Sequence, residues 1–153
     1  MRDDNDLHQD VLDLLAPITR DRYTYTGTSR TVERVNPAGI DLHDGSIGSL
    51  ALAPDGTARP YMGLVIHPRT DRHTRISGGS ARGYFGFSLT VAAGSPRGAR
   101  AAIVAVTAHL ARARLHESTG LLTPYLDQIH LVEDTTASPT RWYAPMRWSV
   151  TVH

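Results

Sequence analysis

The chain has 153 residues, no cysteine, and sixteen arginines with no lysine against fifteen acidic residues, for a net charge of +1. The length suits one domain with a single core. The missing cysteines exclude a disulfide framework or a thiolate metal site. Balanced charge excludes an overall field drawing the chain to nucleic acid or membrane, and no apolar run approaches the ~20 residues that cross a bilayer.

In chain order, Leu7, Val11, Leu14 and Leu15 fall at helical spacing among aspartates, which predicts a short amphipathic helix over 4–16 that stops at Pro17. This acidic start is the opposite of a basic leader, so a soluble, unprocessed protein is expected. Arg22 to Val35, rich in Thr, Tyr and Val around Gly27, reads as a strand pair with a turn. Residues 36–60 carry so many turn signals that they predict a surface excursion with only short extended pieces such as Ser49 to Ala53.

Tyr61 to His67 is an apolar run ended by Pro68, consistent with a buried strand. Pro68 to Gly83, with Ser77-Gly78-Gly79-Ser80 among its arginines, predicts a mobile basic loop. Phe85, Phe87, Leu89 and Val91 then alternate with Gly86, Ser88 and Thr90, the period-2 pattern of a sheet with one face buried. Ser95 and Pro96 are suited to begin a helix, and Ile103, Val106, Leu110 and Ala113 continue one apolar stripe, so a long helix running to about Leu115 is expected to pack on the sheet. Gln128 to Val132 reads as a short strand, Glu133 to Thr140 as a polar loop, and Met146 to Val152 alternates as the last strand. The expected fold is α+β: a mixed, mainly antiparallel sheet with the two helices on one face, in a single domain over 1–153.

Candidate chemistry is sparse. None of the eight histidines forms a paired ligand motif. His109 and His116 would share a helix face, but Arg112 between them opposes a metal. His130 with Glu133 and Asp134 lacks a nucleophile motif. The Gly78 to Gly83 stretch has no lysine and precedes a strand, so it fails as a phosphate loop. No catalytic residue, metal or cofactor is therefore expected. Arg97, Arg100, Arg112 and Arg114 on the long helix, with the loop arginines, fit a protein–protein surface better than a nucleic-acid groove, and the acidic first helix supplies the complementary sign. Uniform use of arginine beside abundant Ala and Gly is also what a GC-rich coding sequence produces.

Three features together carry a family resemblance. They are the acidic first helix, the strand Tyr84-Phe85-Gly86-Phe87-Ser88-Leu89-Thr90-Val91 leading into the helix Ala99 to Leu115, and the ending Trp142-Tyr143-Ala144-Pro145-Met146-Arg147-Trp148-Ser149-Val150. Their layout resembles the tail terminator, or tail completion, proteins of long-tailed phages. That resemblance implies a non-enzymatic virion protein that forms a hexameric ring on the tail tube, stops its polymerisation and joins the tail to the head connector. The implied partners are further copies of the chain, the tail tube protein and the head-tail connector protein, with no membrane and no sequence-specific nucleic acid, DNA passing through the ring. Its implied place is the virion tail at the junction with the head, assembled in the host cytoplasm. The arginines expected at the subunit or tube interface are Arg69, Arg72, Arg75 and Arg82. The alternatives are a neck protein of the same virion, a small hydrolase using His130 or His67, and a nucleic-acid-binding module.

Overall fold

The computed structural model describes residues 2–45, 50–72, 82–124 and 129–152. It is an α+β fold. Helix α1 (Asp4–Leu15) leads through a short 3-10 turn (Ala16–Ile18) into β1 (Thr19–Thr26), followed by β2 (Ser29–Arg34), β3 (Ile40–Asp44), β4 (Tyr61–Ile66), β5 (Thr70–Arg72) and β6 (Arg82–Ala93). Helix α2 (Pro96–Leu110) precedes β7 (Thr123–Pro124), β8 (Val132–Asp134) and β9 (Arg141–Val152). The strands form one mixed sheet in the order β2-β1-β3-β4-β6-β9-β7, with β5 beside β6 and β8 beside β9. Among the described residues only β3 pairs in parallel, with β1 and with β4.

The sheet is organised by β6, which pairs with β9 without a break from Gly83↔Val152 to Ala93↔Trp142. Phe85, Phe87, Leu89 and Val91 are fully buried, and Met146, Trp148 and Val150 lie opposite them on the same face. Phe87 and Trp148 stack with centroids 5.8 Å apart. Leu7, Val11 and Leu15 of α1 and Ala102, Val106 and Leu110 of α2 belong to the same apolar cluster as these strand residues. The helices begin as their sequences dictate. Asp3 and Asp6 form a capping box at α1. At α2 the Ser95 hydroxyl accepts from the Gly98 N–H at 3.1 Å, ahead of Pro96 at the first turn.

Four expectations need correction. Residues 36–60 are not simply an excursion, because Ile40–Asp44 forms a central strand with Leu42 and His43 fully buried. Its short polar sequence hides this, since Asp41 and His43 find partners on the second face. The long helix ends at Leu110, not near Leu115, where Ala111 leaves helical geometry and Arg112 takes a positive φ of 57°. The segment Pro68 to Gly83 is not a loop throughout, as Thr70, Asp71 and Arg72 pair with Tyr84, Gly83 and Arg82. The strand expected at Gln128 to Val132 sits later, at Val132–Asp134, paired to the N-terminal part of β9. Ser46 to Ser49, residues 73–81 and Gln128 lie outside the described residues, so the glycine stretch and Arg75 do too.

Close approach between β1 and the start of β3 makes Gly39 obligatory on steric grounds. A Cβ there would lie 2.5 Å from the Thr19 carbonyl carbon and 2.6 Å from the Arg20 nitrogen. Both are backbone atoms, which cannot swing aside. Gly39→Ala is predicted to lower unfolding stability by about 1–3 kcal/mol, read as a reduced urea midpoint. An unchanged midpoint would contradict this packing of β1 on β3.

Candidate interaction surfaces

Three of the four predicted interface arginines fall on or beside the β5–β6 pairing. Arg69 is half-buried and donates to the Arg2 carbonyl at 3.4 Å, which ties the base of the hairpin to the N-terminus. Register places Arg72 directly opposite Arg82. The structure brings Arg69, Arg72 and Arg82 to one arm; Arg75 lies outside the described residues.

Sequence patterning missed a polar network on the second face of the sheet. There Asp41 of β3 accepts from the Arg59 guanidinium at 2.8 to 3.1 Å, and Arg59 also reaches Asp21 at 3.4 Å. Burial pushes the Asp41 carboxyl up, against the pull of Arg59. Next along β3, His43 lies fully buried, stacked on Tyr23 at 4.6 Å and meeting Tyr61 edge-on at 5.5 Å. Its Nδ1 shares a 2.9 Å hydrogen bond with the Tyr25 hydroxyl, while its Nε2 is buried with no partner among the described residues. The Tyr61 hydroxyl accepts from Arg141 at 2.7 Å, and Arg141 in turn donates to Asp134 at 2.9 Å. Thr136 and Arg141 hold the Asp134 carboxyl below the usual range. The alternation of Asp41, Leu42 and His43 was the only hint in the sequence.

The histidines do not assemble a catalytic relay among the described residues. His67 Nε2 lies 2.6 Å from the Ser88 hydroxyl, its pKa lowered by burial and then by Arg147. His8 Nε2 lies 3.0 Å from both oxygens of Asp44. The first pair is on the second face, whereas the second pins α1 to the end of β3 on the core side, so nucleophile, base and carboxylate are not brought together. His109 meets the Leu14 carbonyl at 2.6 Å and joins the two helices. His116 lies beyond the helix and bonds Ser118, so the expected shared face does not exist. His130 is exposed, and neighbouring Asp134 is committed to Thr136 and Arg141. No group of three or more metal-ligating side chains occurs among the described residues, and no helix there is long and apolar enough to cross a membrane.

Three further surfaces stand out. Helix α2 buries Ala99, Ala102, Val106 and Leu110, yet its outward side carries Ala101, Val104, Ala105 and Ala108, with Val104 66 % exposed. A helix apolar all round is normally covered on both sides. Arg97 sits in its first turn, at the positive end of the helix dipole, and Arg100 in the next turn, both with no partner among the described residues. On the other helix, Asp13 stands in the last turn of α1, at the negative end. Each such placement costs roughly 0.3–1 kcal/mol. Asp13 rims a groove of about 240 Å³ between α1 and β2, lined also by Gln9, Leu12, Arg22, Glu33 and Val35. A larger cavity of about 470 Å³ lies where α2 ends against β9, lined by Leu110, Leu122, Met146 and Trp148 among others.

Compared with known proteins, the chain matches no family model and no curated sequence.

His43 yields a pH prediction. Burial first, and the charge of Arg30 second, lower its pKa from 6.5 to about 4. The unfolded chain accepts this proton near pH 6.5 and the folded chain only near 4, so the contribution is complete above 6.5 and is lost as pH falls towards 4. The loss is on the order of 2–3 kcal/mol. In urea unfolding across that window, His43→Phe, which keeps the stacked ring and removes the titration, is expected to lose less stability than the parent by that amount. Equal losses would contradict the assignment.

Proposed function

We propose that this chain is a non-catalytic structural subunit that assembles head-to-tail into a closed ring, as tail terminator proteins of long-tailed phages do on the end of the tail tube. In that role it halts tube growth and presents a surface to the head connector. The observation that carries the reading is the unlikeness of the two ends of the sheet. At one end β2 is exposed at every residue, with Val32 52 % exposed. At the other, β9 is covered piecemeal, by β8 at Arg141 to Tyr143, by β7 at Trp148 and Ser149, and by the Thr119 bridge to Val152 with the Gly120 N–H donating to the Thr151 carbonyl, and among the described residues no strand pairs with Pro145 from that side. Closed rings need two different complementary surfaces per subunit, since their contacts are heterologous. A two-fold dimer needs only one.

The hairpin of β5 and β6 supplies the third part, a basic arm extending beyond the strand pairing of β4. Its arginines make charge-assisted hydrogen bonds to carboxylates of a neighbouring subunit or tube protein. Sedimentation of the purified protein over a concentration series, with electron microscopy of the largest species, tests the reading: closed rings, six-fold by the resemblance, are expected. A monomer at every concentration would overturn it. Replacing Arg69, Arg72, Arg75 and Arg82 together by Ser is predicted to leave the melting temperature within a few degrees of the parent while weakening assembly, most visibly at raised salt. Assembly equal to the parent across the salt series would remove the arm from the interface.

A further inference from the structure

We infer that the outward face of α2 is a docking surface for a second copy of this chain, and that it seats over the groove between α1 and β2 of that copy. The inference rests on the self-assembly part of the proposed function and names the surfaces that meet. Helix α2 presents exposed Val104 in a stripe with Ala101, Ala105 and Ala108, flanked by Arg97 and Arg100. Within one chain, nothing among the described residues neutralises these arginines, and the helix dipole disfavours Arg97. The groove carries the opposite sign in an equally disfavoured place, with Asp13 in the last turn of α1 and Gln9 donating to it at 2.8 Å. Asp4 and Asp6 add negative charge upstream on the same helix, and Leu12 and Val35 give the groove an apolar lining. Glu33 at its rim is already paired with Arg22, so Asp13 is the carboxylate left to meet an incoming cation.

Each misplaced charge is thus the complement of the other, and both are relieved in the same contact. Position fits as well. The groove belongs to the β2 end of the sheet, whereas α2 packs on β6 and β9 towards the other end, so the contact runs from the tail of one copy to the head of the next. It cannot be satisfied by a symmetric pair that uses one patch twice.

A charge swap tests this. One variant carries Gln9→Arg and Asp13→Arg, the other Arg97→Glu and Arg100→Glu. Asp13→Arg and Arg97→Glu place charges that the helix dipoles favour, and Gln9 and Arg100 are exposed, so both variants should fold and melt close to the parent. Alone, each faces like charge across the contact, and its assembly midpoint in sedimentation should rise at least about 10-fold. Mixed in equal amounts, the two restore opposite charges at every contact of an alternating ring of even number, and assembly should return. Either variant assembling unaided like the parent, or the mixture failing as each does alone, would overturn the assignment while leaving a ring-forming parent intact. A parent that stays monomeric would overturn both the assignment and the proposed function.

Discussion

The pairing of β6 with β9, and the burial of the aromatic and aliphatic stripe that they share, is the constraint on which the rest of the molecule depends. Eleven consecutive register positions join the two strands. They set Phe85, Phe87 and Leu89 beside Val150, Trp148 and Met146 on the face that receives both helices. Burying one such side chain is worth about 1.5–3 kcal/mol, so the stripe outweighs any single polar contact in the chain. A one-residue slip would send every one of these groups to the other face. Because β6 also carries β4 and β5, fixing its register fixes the position of the central strand and of the basic arm.

The second face is held by different physics. Asp41 and His43 enter the sheet interior beside Leu42, and each is tolerable only because a neighbour answers it, Arg59 for the carboxylate and Tyr25 for one imidazole nitrogen. The stacked tyrosines supply apolar cover for the ring. This network ties together segments far apart in sequence, since Arg141 of β9 closes onto Tyr61 of β4. It contributes specificity of register more than net stability, as buried charges and hydrogen bonds largely exchange one set of partners for another.

These two modes of packing explain what the sequence made legible. Where one face of a strand is apolar, as in β6 and the end of β9, alternation alone reports strand, register and buried face. Helix starts were equally plain, because Ser95 with Pro96 and the aspartates before Leu7 satisfy orphan N–H groups by local chemistry. β3 was hidden, since Asp-Leu-His-Asp shows a single apolar residue and its burial depends on Arg59 and Tyr25, contacts that no local window contains. The end of α2 was misjudged because Ala113 and Leu115 continue the helical spacing while packing against the core from a non-helical backbone. The apolar outer side of α2 could have been read from Ala101, Val104, Ala105 and Ala108. It means something only once the inner stripe is known to be occupied.

Taken together, the two ends of the sheet differ, and on the proposed reading Arg97 and Asp13, which their own helix dipoles disfavour, are answered by a neighbouring copy. The absence of cysteine makes the decisive measurement clean. The double variant Asp13→Cys, Arg100→Cys introduces two thiols, and roughly 13 Å of helix separates residue 100 from His109, the point where α2 touches α1. Oxidised at assembling concentrations and run under denaturing, non-reducing conditions, it should give a ladder of covalent multimers that stops at the number of subunits in the ring. A single monomer band, or a ladder that stops at the dimer, would contradict head-to-tail assembly through these surfaces.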